Sequence, residues 1–156
     1  MMPEAEHFLR QAIALARENV RQGGRPFGAV VVKDGEVIAN GVNETALTAD
    51  PTAHAELMAI RAASVKLDRA DLRGCIVYAS GHPCPMCFAA MVLAGIETAF
   101  YAYTNEDGEP YGLSSASLYA QLARPAAERS LKMTHIPVRS DDDVMLYELW
   151  QGQRTT

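Results

Sequence analysis

Asp50-Pro51-Thr52-Ala53-His54-Ala55-Glu56 and Pro83-Cys84-Pro85-Met86-Cys87 are the two stretches on which the reading of this chain turns. The first sets an imidazole and a carboxylate two residues apart. The second sets two thiols at i and i+3, a spacing that turns both toward one point on a helix. Asp50 suits a helix N-cap with Pro51 at the first helical position, which predicts a helix from there to about Lys66. Gly81-His82-Pro83 breaks the chain before a second helix that carries Cys84 to about Ala94 and stops at Gly95. Both motifs therefore sit where helices begin.

Outward from these stretches the pattern alternates between the two element types. Residues 4–22 read as a helix: Phe8, Leu9, Ala12, Ile13, Ala16 and Val20 share a stripe, and Gly23-Gly24 ends it. The apolar runs 27–32 and 36–39 read as strands around Asp34-Gly35, a hairpin signal. Residues 41–50 read as a loop. In the helix after Asp50, Ala53, Leu57, Ile60, Ser64 and Leu67 fall on one face, and the Ala-rich remainder predicts close packing on a sheet. Residues 75–79 and 98–103 read as strands, 106–112 as a loop and 115–122 as a short helix. Residues 131–138 have the pattern of a short strand. Ser140 with Asp143 resembles a capping box opening a last helix through Trp150. The sum is a layered α/β protein.

A length of 156 residues fits one domain able to bury a core without staples. The hydrophobic content of 49% and charged content of 21% argue against disorder. A net charge of −5 argues against a nucleic-acid partner, whose phosphates call for clustered Lys and Arg. No stretch approaches the ~20 apolar residues of a membrane span. Nor does the acidic opening Met1-Met2-Pro3-Glu4-Ala5-Glu6 look like an export signal. Three cysteines, two of them in one C-x-x-C, read as a cytoplasmic metal or redox protein rather than a disulfide framework.

Zn²⁺ takes thiolate and imidazole ligands, and a catalytic site keeps one of four positions open. Cys84, Cys87 and His54 supply three ligands. Glu56, in the first turn of the same helix as His54, is then placed for proton transfer rather than ligation. Zinc lowers the pKa of bound water to roughly 7, and a carboxylate beside it is a general base. Two plainer readings compete. A C-x-x-C after a strand can be a redox pair, but that leaves His54 and Glu56 without a role. A closed structural zinc site needs a fourth ligand, and the spare thiol, Cys75, lies in a strand, where it reads as a small buried hydrophobe. His7 and His135 receive no role. Phe27 and the run Phe100, Tyr101 and Tyr103 read first as core, and Met86 and Met91 as helix packing.

H-x-E followed by P-C-x-x-C, together with Pro26-Phe27-Gly28-Ala29-Val30-Val31-Val32, Asn43 and the Phe100-Tyr101-Ala102 strand, resembles the cytidine-deaminase-like superfamily over nearly the whole chain. Pro125-Ala126-Ala127-Glu128-Arg129 is similar to a stretch of the bacterial guanine deaminase group. The resemblance implies a three-layer α/β/α fold with a central five-stranded mixed sheet, and one zinc ion on His54, Cys84 and Cys87. It also implies hydrolytic loss of an exocyclic amine with Glu56 as proton shuttle, and a small-molecule purine held by Asn43, Ala55, Phe27 and Pro83. Residues 1–156 would form a single deaminase domain. The group's homodimers exchange C-terminal segments, here 141–156, which gives Asp143 and Trp150 a substrate or proton-transfer role. One departure stands out. Guanine deaminase-like members carry Glu before the Pro-Cys pair, where this chain has His82, a further candidate for substrate contact or proton transfer. The loop 104–115 also has little of the acidic character expected near a guanine-reading pocket. A tRNA adenosine deaminase is the second reading and a cytosine deaminase the third; a non-enzymatic zinc module, which has no need of Glu56, is the remaining class.

Overall fold

The computed structural model describes residues 2–138 and 145–154. It falls into two compact units, Met1–Ala123 and Arg124–Thr156. The first begins with α1 (Pro3–Arg21), followed by strands β1 (Gly28–Lys33) and β2 (Glu36–Val42). Asp34 and Gly35 turn the hairpin with φ of 51° and 78°, the doubly positive conformation that Asp-Gly favours. After the short helix α2 (Thr45–Thr48) come α3 (Ala55–Leu67), β3 (Cys75–Gly81), α4 (Pro85–Leu93) and β4 (Thr98–Tyr103). Then follow α5 (Asn105–Gly108), a 3-10 turn at Glu109–Tyr111 and α6 (Ala116–Ala123).

The sheet is mixed, in the order β2-β1-β3-β4. β1 pairs antiparallel with β2 and β3, while β3 and β4 are parallel and joined through α4. Alternate residues of β1 serve opposite layers, as the strand period requires. Val30 and Val32, with Tyr78, pack against Ala5 and Phe8 of α1. Ala29 and Val31, with Val77, pack against Ala55, Ala59 and Ile60 of α3 and Cys87 and Met91 of α4. Helices thus cover both faces, in the α/β/α layering that the family resemblance implied.

Four strands are found among the described residues, not the five expected. Residues 131–138 have a strand-like pattern but make no ladder. A strand exists only where a neighbouring backbone completes its ladder of hydrogen bonds, and among the described residues no ladder forms at 131–138. The second unit holds a 3-10 turn at Ala126–Glu128 and α7 (Leu146–Arg154). Asp143 and the expected cap at Ser140 lie outside the described residues.

Two expectations about α3 are corrected. The helix begins at Ala55 with His54 as N-cap, not at Pro51. Asp50 instead accepts from the Thr52 N–H at 2.8 Å and the Thr52 hydroxyl at 2.7 Å, a local turn that competes with helix initiation. The most deeply buried residues of the helix are Ala55, Glu56, Ala59, Ile60 and Ala63, while of the expected stripe Ile60 is buried and Leu57 and Leu67 are only partly buried against the core. The reason is a close approach to β2. A Cβ on Gly41 would lie 2.5 Å from Ala59 N and closer still to Ala55 O, so only the small face fits. Gly41→Ala should therefore cost about 1–3 kcal/mol by overpacking against backbone that cannot yield. The readout is a lowered urea midpoint with an unchanged slope.

Candidate metal centre and active site

Two helix N-termini converge at the carboxyl end of β3. His54 is the N-cap of α3 and Cys84 the N-cap of α4, both extended, and neither side chain caps its own helix. Pro85 follows Cys84 at the first helical position and Cys87 lies one turn in. His54 Nδ1 is 3.5 Å from Cys84 Sγ and 3.7 Å from Cys87 Sγ, and the two sulfurs are 3.7 Å apart. Tetrahedral zinc with Zn–S of about 2.3 Å and Zn–N of about 2.0 Å asks for edges of about 3.5 and 3.8 Å. The donor set and the triangle both fit one metal ion. The redox alternative leaves His54 unexplained in this triangle.

Glu56 is buried at the triangle's edge, its Oε2 3.0 Å from Cys87 Sγ. Burial pushes its carboxyl up. The Cys84 thiol is held down to about 4, first by its hydrogen bond with Cys87 and then, against the cost of burial, by His54. Its contact with Cys84 raises His54. Cys87 is pushed up, first by its hydrogen bond with Cys84 and next by burial. One thiol thus ionises readily while the other keeps its proton. A dication bound here displaces protons that the metal-free cluster retains.

The triangle opens into a cavity of about 190 Å³, lined in part by Phe27, Asn43, Ala55, Glu56 and His82. Asn43 is 5% exposed. Its Oδ1 accepts from the Thr45 N–H at 3.1 Å and the Thr45 hydroxyl at 2.8 Å, which fixes the orientation of the amide. Asn43 lines the cavity, and with Oδ1 held by Thr45 its Nδ2 is left as the donor end of the amide. His82 Nδ1 lies 3.0 Å from the Pro83 carbonyl. A carbonyl only accepts, so Nδ1 carries the proton and Nε2 is the ring's lone-pair side in the neutral form.

The remaining sequence candidates are placed as follows. Pro83 is buried, with its carbonyl turned to His82 and Tyr119, and is not among the residues lining the cavity. Trp150 lies on α7 in the second unit, with the Arg154 guanidinium 4.8 Å over its ring. Arg25, Ser114, Ser115 and Leu118 also line the cavity and were not singled out in the sequence. Ser115 donates its N–H and hydroxyl to Asn105 Oδ1 at 2.9 and 3.2 Å, closing the loop at its base. A helix-opening Ser-Ser before α6 was the available signal. Glu56 is the one carboxylate among the lining residues.

Residues 2–103 match the family model of the cytidine and deoxycytidylate deaminase zinc-binding region. The chain belongs to this deaminase family. It is 45% identical over 94% of each chain to a guanine deaminase of Bacillus subtilis. It is 33% identical to a tRNA-specific adenosine deaminase of Aquifex aeolicus, over 90% of each. The solved structure of guanine deaminase from Bacillus subtilis superposes with a TM-score of 0.82 at 39% identity, covering 97% of this chain and 94% of that one. Among the described residues, His54, Cys84 and Cys87 form the group able to hold the metal that the deaminase family's zinc-binding region calls for. Among the described residues, no helix is long and apolar enough to cross a membrane.

Proposed function

We propose that this chain hydrolyses the exocyclic amine from a free purine base, guanine before others, giving xanthine and ammonia. The reading rests on the His54–Cys84–Cys87 triangle with Glu56 at its edge, in a cavity of about 190 Å³. That volume is below the ~300 Å³ where drug-sized pockets begin, which suits a single small ring system. Likeness to a guanine deaminase over most of both chains supports the choice of base.

When bound, zinc supplies a water nucleophile active near neutral pH. Glu56 takes one proton of that water and delivers it to a ring nitrogen, then relays the second, from the hydroxyl now on the ring carbon, to the leaving amine. The amine departs as ammonia and the ring carbon keeps the oxygen. Asn43 Nδ2 donates to a ring acceptor, Phe27 packs on the ring, and Ala55, the first residue of α3, borders it. His82 stands where the guanine deaminase group carries Glu, which makes His82 the residue tuning which purine is preferred. Completion of the site by residues 141–156 of a second chain, bringing Asp143 and Trp150, belongs to the same proposal. The exposure of Leu146, Tyr147, Leu149 and Trp150 on α7 supports it. Reduced thiols at Cys75, Cys84 and Cys87 are compatible with a cytoplasmic setting.

A tRNA adenosine deaminase shares the motif chemistry. It would need cationic contacts to an RNA backbone, and a net charge of −5 argues against them. Ammonia release from guanine, adenine, cytosine, guanosine, aminated triazines and a tRNA anticodon stem-loop decides between these readings. Turnover of guanine or another free purine is expected. Release from the stem-loop alone overturns the proposal.

A further inference from the structure

Cys84 stands between two prolines, and this limits what can move it. The ring of Pro83 locks its own φ, and Pro85 holds Cys84 itself in the extended region, where it is found at φ −72° and ψ 169°. The soft torsion left just upstream is ψ of Pro83, which turns the Pro83 carbonyl and with it the peptide that carries Cys84. That carbonyl accepts two hydrogen bonds. One comes from His82 Nδ1 at 3.0 Å. The other comes from the Tyr119 hydroxyl, brought from α6, 36 residues away in the chain. The Tyr119 ring also meets His82 edge-on at 5.4 Å and 89°, while Tyr101 meets the same imidazole at 4.5 Å and 62°. His82 is clamped between two tyrosines, one of which also holds the carbonyl beyond it.

We propose that Tyr119 is a positioning residue for the metal centre: its hydroxyl fixes the Pro83–Cys84 peptide and so aims the Cys84 sulfur at the metal, while its ring holds His82. The inference rests on the zinc reading above. Tyr119 touches neither metal nor reacting atoms and acts through Cys84. Burial raises its phenol, so the hydroxyl stays a donor through the neutral range. The base of α6 is itself tied down, by Ser115 on Asn105 and by the Ala116 N–H on Ser114 Oγ at 3.1 Å. The strut therefore has a fixed foot.

Two substitutions separate its two parts. Tyr119→Phe keeps the ring and removes only the hydrogen bond. Groups that orient metal ligands from behind are worth ~10–100-fold in metal affinity, and a loss of that size is expected in zinc competition against a chelator. The visible bands of the cobalt-substituted protein should shift as the thiolate geometry relaxes, and KM should stay near the wild-type value. Tyr119→Ala should add a rise in KM as His82 loses its neighbour. Ala120→Gly weakens α6 without touching the hydroxyl and serves as the control, with zinc affinity unchanged. Wild-type affinity and spectrum in Tyr119→Phe overturn the strut. So does an equal loss in Ala120→Gly, which would reduce Tyr119 to a part of helix stability. Failure of the wild-type chain to bind zinc overturns the metal reading and the strut together, so the two failures are told apart.

Discussion

Glu56→Gln should lower turnover by about 10³-fold, within the ~10²–10⁴-fold that a positioned general base contributes, while the protein still carries one zinc ion per chain. The carboxylate sits beside the ligand triangle and is not one of its corners, so its loss removes proton transfer and leaves coordination intact. A second consequence follows from its burial. Burial raises the carboxyl above its ordinary range, so the folded metal-free protein holds this proton at pH values where the unfolded chain has released it. The cost of the buried group is absent below the ordinary carboxylate pKa and grows as pH rises through the raised value. Metal-free Glu56→Gln should therefore gain stability over wild type on going from acid toward neutral pH. Ammonia release, zinc content and thermal unfolding across pH check the three parts. Turnover within tenfold of wild type would remove Glu56 from the mechanism.

The residues proposed to do chemistry were legible because the chemistry allows few residue types at few spacings. His54, Glu56, Cys84 and Cys87 could be assigned without knowing a single contact, since zinc ligation and proton transfer specify them. What stayed hidden depends on partners remote in sequence. The Ala-rich α3 has almost no amphipathic stripe to read, and its buried face becomes evident only when Gly41 of β2 is set against it. Asp50 looks like a helix cap by type and position, but its bonds to Thr52 close a turn first and pass the cap to His54. That shift explains how residues two apart both reach one centre: an N-cap and a first-turn side chain can face the same point beyond a helix end, whereas mid-helix they would diverge.

Loop residues were the least legible. Arg25, Ser114 and Ser115 reach the cavity from segments without a chemical motif, and an arginine or serine in a loop has many ordinary uses. Residues 131–138 show the converse. Their pattern reads as a strand, yet a strand is a property of two backbones, and one sequence supplies only half of it. Substrate choice inherits this difficulty. In the proposed function the reaction rests on four residues at two helix ends, while Asn43, His82 and the loop that carries Ser114 and Ser115 line the cavity proposed to take the base.

Cys87→Ala should empty the centre and abolish deamination without unfolding the chain. Cys87 is fully buried and is one of three corners of the triangle. Removing a ligand outright should cost metal affinity well beyond the ~10–100-fold of groups that merely orient ligands. The fold should survive, because the layer of α1 against Val30, Val32 and Tyr78 does not involve the site. His54→Ala should give the same zinc loss, which separates a metal centre from a thiol redox pair, where the imidazole would be dispensable and zinc irrelevant. In the wild-type protein, affinity should rise with pH. Cys87 is pushed up by its bond to Cys84, by burial and by Glu56, and it must shed a proton before it can ligate. Zinc binding measured against a chelator at several pH values should therefore show proton release on uptake. A pH-independent affinity, or zinc retained in both Cys87→Ala and His54→Ala, would show that the metal sits elsewhere.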